Sequence, residues 1–211
     1  MPDTIPILYR DEAMLIVEKP SGLLTVPGRG PEKKDCLINR LLKPYPNARI
    51  VHRLDQATSG LVIIALSHPA QKALGQLFEN RAIEKSYEAI VDGHIEKDTG
   101  KIELPLICDW PNRPRQMVDR ENGKSALTHF EVISRDDKLA QTRVALHPFT
   151  GRSHQLRVHM LAIGHVILGD TLYANGDALN ASERLLLHAR ELRFQHPLTG
   201  ETLDIQSPAP F

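Results

Sequence analysis

The segment with the most chemistry for its length runs from His52 to Gly60, with the sequence HRLDQATSG. It places a cation, a carboxylate and two hydroxyls within one turn, directly before an apolar run. A carboxylate such as that of Asp55 can act as a nucleophile or as a general base. The same residues also fit a solvated loop in which Asp55 caps a turn. A protein-kinase catalytic loop is excluded, because that loop is HRD followed by Asn five residues after the Asp, whereas Leu54 separates Arg53 from Asp55 and position 60 is Gly.

A second candidate segment, Thr150–Met160, lies in a stretch without Asp or Glu, residues 138–169. Arg152 stands where a helix is expected to begin, and a helix N-terminus beside an arginine suits a phosphate group. A solvated basic face is the alternative. His154 and His159 are five residues apart, about 140° around a helix, so they cannot share a metal ion as histidines four residues apart do. The spacing therefore argues against a zinc site and favours structural or phosphate-donating histidines.

A third segment, Leu104–Gln116, holds the only Trp of the chain, three Pro and two Arg. It fits either an irregular rigid loop or an RNA-contacting arm. In the second case Arg113 and Arg115 contact phosphates, and the prolines limit the entropy lost on binding. We predict the RNA-contacting loop over residues 105–125. Tyr87, at the start of a predicted strand, carries little functional signal alone, because such a Tyr usually packs in a core or an interface.

The elements that must position these segments follow from periodicity and from turn residues. Hydrophobic patterns predict strands over residues 7–9, 14–17, 61–66, 86–91, 127–133, 142–146 and 185–194. Helices are predicted to begin after the N-cap residues Asp35, Ser67 and Ser153. Strands outnumber helices and mostly follow one another directly. This order predicts an α+β fold with a mixed, largely antiparallel sheet, flanking helices and RNA-contacting loops.

The composition limits the class of protein. A chain of 211 residues with 41% hydrophobic and 25% charged residues is globular, and it forms one large domain or two small ones. The 26 basic residues balance the 26 acidic ones, so a polyanionic partner would need a local basic patch. Cys36 and Cys108 match no zinc spacing and are expected to be reduced, although whether they meet is open. No secretion signal or membrane-spanning run is present, which predicts a soluble cytoplasmic protein without a membrane partner.

Taken together, the segments resemble the RluA family of RNA pseudouridine synthases. The family's HRLDxxTSG signature corresponds to His52–Gly60, its KxYxA element to Lys85–Ala89 and its GRxHQLRVH element to Gly151–His159. The resemblance extends from EKPSGLLTVPG near the N-terminus to LLLHA near the end. It implies the pseudouridine synthase catalytic fold in a single domain over residues 1–211, without the S4 RNA-binding domain of many relatives.

The resemblance also implies roles for individual side chains. Asp55 would act at the ribose, Arg157 would keep that carboxylate ionised, and Tyr87 would stack against the uracil. Arg53 would fill the space that the extracted base leaves. The other candidate RNA contacts are His52, Arg113, Arg115, Arg152 and His154.

Making pseudouridine involves no redox change and no net hydrolysis, so no cofactor and no metal are expected. Segments such as LPLICDWPNRPRQ and ILGD resemble the dual-specificity members of the family. That implies flipped loop uridines of 23S rRNA and of the tRNA anticodon stem-loop as targets, and a monomeric enzyme.

Three other classes stay open from the sequence. A non-catalytic RNA-binding module would not need Asp55, Tyr87 and Arg157 in one pocket. A glycoside hydrolase normally uses two carboxylates, and only Asp55 lies in a motif. An enzyme of this fold could also act on a free nucleoside.

Overall fold

The computed structural model describes residues 4–211; residues 1–3, which begin the N-terminal stretch analysed for a secretion signal, lie outside the described residues. The chain divides into two compact units. The first comprises residues 4–85 and 189–210, and the second comprises residues 86–188 with Phe211. That residues 1–211 form one catalytic domain stays a prediction.

The secondary structure alternates short strands with few helices. The strands are β1 (Ile7–Arg10), β2 (Met14–Lys19), β3 (Arg49–Ile50), β4 (Ser59–Ala65), β5 (Glu84–Asp92), β6 (Thr99–Glu103), β7 (Leu106–Cys108), β8 (Gln116–Val118), β9 (Leu127–Asp136), β10 (Gln141–Pro148), β11 (Leu187–Gln195) and β12 (Thr202–Gln206). The helices are α1 (Leu37–Leu42), α2 (His68–Glu79), α3 (Gln155–Ala162) and α4 (Gly176–Asn180), and 3₁₀ turns cover Pro31–Lys33 and Trp110–Asn112.

The first unit has the strand order β1-β2-β4-β11, with β3 beside β4 and β12 beside β11. The pairs β1–β2, β2–β4, β3–β4 and β11–β12 are antiparallel. Every residue of β4 is buried, as the continuous apolar run predicts. The core includes Ile16, Ile63, Leu74 and Phe194, so it joins the inner strands to α2.

The second unit has the strand order β5-β10-β9-β6, with antiparallel neighbours throughout. A separate antiparallel hairpin is formed by β7 and β8. Leu106 of this hairpin shares a small core with Ala126, Val158 of α3 and Tyr173. Residues 106–118 of the predicted RNA-contacting loop therefore form a β-hairpin whose strands are joined by residues 109–115, and Leu106 packs the base of this hairpin in that core.

Several local predictions are confirmed. β1 and β2 lie at the strands predicted over residues 7–9 and 14–17, and they pair as an antiparallel hairpin. Ser67 caps α2 by accepting a hydrogen bond from the Ala70 amide at 3.2 Å. The helix that follows packs Ala70, Leu74, Leu77 and Phe78 in the core of the first unit. The α+β class with a mostly antiparallel sheet is also confirmed.

Two predicted helix caps are wrong. Cys36, not Asp35, is the N-cap of α1, because the Asp35 carboxylate instead accepts two hydrogen bonds from Arg40 at 2.8 and 2.7 Å. His154, not Ser153, is the N-cap of α3 and takes a left-handed conformation with φ of 53°. The turn before α3 is held by the buried Gln155 side chain, whose Oε1 accepts from the Arg152 amide at 3.0 Å.

Both cysteine thiols are free, with Cys36 buried and Cys108 half-buried. Among the helices of residues 4–211, none combines the length and the apolar composition needed to cross a membrane.

Candidate functional site

The Asp55 loop, residues 51–58 between β3 and β4, is held by hydrogen bonds from a buried ammonium group. Lys19, at the end of β2, has no exposed surface. Its Nζ donates to the carbonyl oxygens of Pro20 at 2.9 Å, Leu23 at 2.7 Å and Gln56 at 3.1 Å. A buried charge is tolerated when it is fully hydrogen-bonded. Lys19 thus ties the turn after β2 to the residue next to Asp55.

Further bonds join the same turn to the Asp55 loop. The Thr25 hydroxyl donates to the Leu54 carbonyl at 2.8 Å and accepts from the Leu54 amide at 3.2 Å. Ser21 donates to the Ala57 carbonyl at 2.7 Å. Residues on both sides of Asp55 are therefore held by side chains of the EKPSGLLTVPG segment, while Asp55 itself is half-buried and Arg53 is exposed.

His52, near the start of the Asp55 loop, has a neutral ring. Its Nε2 accepts a hydrogen bond from the Ile63 amide at 2.9 Å, and its ring lies 4.5 Å from that of Phe78. Burial, and then the charge of Lys85, lower the pKa of His52 to about 3. The acceptor role explains why the neutral form is held. A contact from His52 to RNA stays a prediction, and its Nε2 is already engaged by the backbone.

The glycine that ends the HRLDQATSG segment is required by a close approach. Gly60 has φ of +112°, and a Cβ at this position would lie 2.3 Å from the Ala189 carbonyl oxygen. No side chain fits there without moving β11 away from β4.

Tyr87 lies in β5 of the second unit, opposite Leu146 of β10. Its side chain is half-buried. The neighbouring Glu88 is paired with Arg143. This arrangement gives Tyr87 a rigid strand as its support. That Tyr87, Asp55 and Arg157 meet around one substrate stays a prediction.

Arg157, on α3, is held by an acidic residue that the sequence analysis did not select. Its Nε and Nη2 donate to the two carboxylate oxygens of Asp170 at 2.7 and 2.6 Å. Arg157 is 3% exposed and Asp170 is fully buried. Asp170 also accepts from the amides of Leu172 and Tyr173. Such a two-point contact fixes the plane of the guanidinium.

Tyr173 joins several predicted site residues of the second unit. Its hydroxyl lies 2.7 Å from Nδ1 of His154 and accepts from the Gln116 amide at 2.7 Å. The guanidinium carbons of Arg157 and Arg115 lie 5.0 and 5.3 Å from the centre of its ring. The structure therefore gathers His154, Arg157 and Arg115 around one buried tyrosine.

The remaining predicted RNA contacts lie at the surface. Arg113 is exposed at the tip of the β7–β8 hairpin, with its guanidinium 4.5 Å from the ring centre of Trp110. Arg152 is exposed and donates from Nε to the Ser125 carbonyl at 3.0 Å. Contacts from Arg113, Arg115 and Arg152 to RNA stay predictions.

His159, the second histidine of the Thr150–Met160 segment, has a structural role. Its ring lies between the Thr128 hydroxyl at 2.9 Å and the Leu104 carbonyl at 3.0 Å. Burial lowers the pKa of His159, which favours the neutral ring. Within residues 4–211 no group of three His, Cys, Asp or Glu side chains could hold a metal ion.

The sequence carried signals for two of the residues that were missed. Asp170 is the first acidic residue after the acid-free stretch 138–169. The cationic residues of that stretch have no acidic neighbour within it, so Asp170 is a natural candidate for an ion pair with one of them. Lys19 follows the apolar run MLIV and Glu18, immediately before a Pro-Ser-Gly turn, which is an unusual position for a solvated lysine. Tyr173 had no such signal.

Comparison with known proteins assigns the chain to a family. The sequence model described as RNA pseudouridylate synthase matches residues 13–162, which include the Asp55 loop, β5 and α3. The chain belongs to the RNA pseudouridylate synthase family. It is therefore an enzyme that isomerises uridine to pseudouridine in RNA.

Relatives of this family match almost the whole chain. The dual-specificity RNA pseudouridine synthase RluA of Yersinia pestis is 53% identical over 205 residues, which cover 97% of this chain and 99% of the relative. The protein of the same name from Escherichia coli K12 is 51% identical over 206 residues, covering 97% and 93%.

Solved structures of the family share the fold. Human RNA pseudouridylate synthase domain containing 1 superposes with a TM-score of 0.83 at 29% identity, over 99% of this chain and 85% of that one. Human RNA pseudouridylate synthase domain containing 4 gives a TM-score of 0.76 at 25% identity, over 97% and 88%. The predicted pseudouridine synthase fold is thereby confirmed.

Proposed function

We propose that this pseudouridine synthase modifies two kinds of RNA, specific loop uridines of 23S rRNA and of the tRNA anticodon stem-loop. The near full-length match to relatives named as dual-specificity enzymes carries the proposal. Because an enzyme that modifies rRNA and tRNA must be in the same compartment as these RNAs, the proposal includes a cytoplasmic location. It also includes a monomeric enzyme.

The reaction rearranges bonds without adding or removing atoms. The bond from ribose C1′ to uracil N1 breaks, the uracil turns, and C1′ joins C5. The proton of C5 is lost and a proton is gained at N1. We assign the step at the ribose to Asp55, which either attacks C1′ or removes the C2′ proton to give a glycal. The hydrogen bonds from Lys19, Thr25 and Ser21 around Asp55 support this assignment, since a reacting carboxylate needs a fixed backbone.

Arg157 and Tyr87 take the two supporting roles. We propose that Arg157 favours the ionised form of Asp55, since a cation at short range lowers a carboxylate pKa. Its rigid contact with Asp170 supports a positioned guanidinium. Tyr87 would stack against the uracil and could take the C5 proton through its hydroxyl.

The target base must first leave its stack, which costs a few kcal/mol. Arg53 is exposed on the same loop as Asp55. A planar guanidinium can stack between bases and meet phosphate at the same time. We therefore propose that Arg53 fills the vacated space. Loop uridines are cheaper to extract than paired ones, which fits a stem-loop substrate.

The test is to incubate the protein with total rRNA and tRNA that lack this modification, and to map pseudouridine in both. New pseudouridine at discrete loop positions in both RNAs is the expected result. Modification of one RNA alone would refute dual specificity. Binding without any pseudouridine would support a non-catalytic module, and turnover of free uridine would support a nucleoside enzyme.

A further inference from the structure

The tip of the β7–β8 hairpin exposes the only tryptophan of the chain. Trp110 is 69% exposed, although tryptophan is on average a well-buried residue. Arg113 lies over its ring, with the guanidinium carbon 4.5 Å from the ring centre. With one face covered and most of the surface exposed, the other face of the indole is accessible to a planar ligand.

The tip is rigid before any ligand binds. The Asp109 carboxylate accepts two hydrogen bonds from the Asn112 side chain at 3.1 and 3.0 Å. Backbone bonds join Asn112 to Asp109 and Arg115 to Asn112. Pro111 and Pro114 restrict the backbone further. A preorganised loop loses little entropy on binding, so the exposed indole is held ready for contact.

The charge at the tip selects the kind of ligand. Residues 110–118 contain Arg113 and Arg115 and no acidic residue. Asp109 and Asp119 flank this segment in the sequence, and the Asp109 carboxylate accepts hydrogen bonds from the Asn112 side chain. An aromatic face beside two guanidinium groups suits a base attached to phosphate, because the base stacks on the face and the cations pair with the phosphate.

We propose that Trp110, supported by Arg113, is a stacking site for an unpaired base of the RNA substrate. The inference rests on the proposed function, because it takes RNA as the ligand. It adds a contact outside the reacting centre. The base of the hairpin is tied to this centre's proposed arginine, since the Gln116 amide and the Arg157 guanidinium both contact Tyr173.

The single tryptophan gives a direct measurement, because all indole emission comes from this tip. The protein is titrated with a synthetic RNA stem-loop and with a fully paired duplex of the same stem. We expect saturable quenching by the stem-loop and little by the duplex. Unchanged emission at saturating stem-loop, with binding shown by labelled RNA, would overturn the proposal.

Variants separate stacking from charge. Trp110→Leu should weaken stem-loop binding about tenfold, the scale of one lost base stack, and Trp110→Phe should recover most of it. Leu139→Ala, at another exposed apolar residue of the same unit, is the matched control and should leave binding unchanged. Equal affinities for Trp110→Leu and the unsubstituted protein would also overturn the proposal.

Salt dependence provides an independent readout. Trp110→Leu should leave the slope of log affinity against log salt unchanged, whereas Arg113→Ala should reduce it by about 1. Pseudouridine is measured in the same samples. Quenching without pseudouridine would refute the proposed function alone, and pseudouridine without quenching would refute the stacking site alone.

Discussion

At the scale of single residues, Asp55 carries the proposed chemistry. Asp55→Asn keeps the size of the side chain but removes the nucleophile and base. We expect stem-loop binding to persist while single-turnover pseudouridine formation falls by at least about a thousandfold, within the range of lost covalent and general-base catalysis. Asp177→Asn, the same change at an exposed residue of α4, is the control. An Asp55→Asn rate within tenfold of the original would rule out this assignment.

Asp170 holds the guanidinium of Arg157, the residue that we propose acts on Asp55. Asp170→Asn removes the carboxylate that makes a two-point contact with a buried guanidinium, so we expect the free energy of unfolding to fall by about 3 kcal/mol in urea titrations. Arg157→Lys keeps the charge but loses the planar two-point contact, so it should restore only part of the rate lost in Arg157→Ala. Full restoration by Lys would contradict a positioning role for Asp170.

His52 makes stability depend on acid. The pKa of His52 is lowered to about 3 in the folded protein, whereas the ring has its ordinary pKa of about 6.5 in the unfolded chain. Between pH 6.5 and pH 3 the ring is therefore protonated mainly in the unfolded chain. Its contribution to stability is complete above pH 6.5 and is lost as pH falls, by about 1.4 kcal/mol per pH unit.

The check is urea unfolding across that pH range. In His52→Gln, an amide oxygen can replace Nε2 as acceptor for the Ile63 amide. The slope of unfolding free energy against pH should then decrease by the amount that corresponds to one bound proton. His68→Gln, at an exposed histidine, controls for loss of a histidine. A full slope in the His52 variant would show that another group causes the loss.

At the scale of elements, the turn after β2 and the Asp55 loop behave as one part. Lys19→Met removes the group that bridges three carbonyls. We expect stability to fall by about 2 kcal/mol, as for a lost bond to a charged group, and kcat to fall more than stem-loop affinity. Lys72→Met, on the exposed face of α2, should change neither. An unaltered kcat in folded Lys19→Met would show that the loop needs no such anchor.

Most strands and the Ser67 cap were predictable from neighbouring residues, whereas two helix caps and the contacts between distant residues were not. Ser67 caps α2 through an amide three residues away, so the sequence pattern sufficed. Asp35 failed as a cap because Arg40 competes for its carboxylate. Lys19 has Gln56 as a partner 37 residues away, a contact that only the fold creates. The site motifs were recognisable, but the support that Asp170 and Tyr173 give to Arg157 was not.

At the scale of the whole molecule, the 26 basic and 26 acidic residues balance, but they are distributed unevenly along the chain. The acid-free stretch 138–169 and the tip residues 110–118 both belong to the second unit. RNA binding should therefore depend on salt despite the neutral chain.

The reaction exchanges bonds within one nucleotide, so the enzyme should work without added cofactor. We expect activity to survive EDTA and to need no nucleotide or nicotinamide. The measurement is pseudouridine formation on a stem-loop that folds without divalent ions. Loss of activity on chelation, restored by a metal that this RNA does not need, would contradict the prediction.

The buried ammonium of Lys19 also gives the protein an internal reporter of local opening. An amine-acylating reagent reaches exposed lysines in the folded state, but it can reach Lys19 only when the turn after β2 separates from the Asp55 loop. The acylation rate at Lys19, followed by peptide mass spectrometry, therefore measures how often this region opens under native conditions. A bound stem-loop that stabilises the closed loop should slow that labelling, which would report substrate engagement without any turnover.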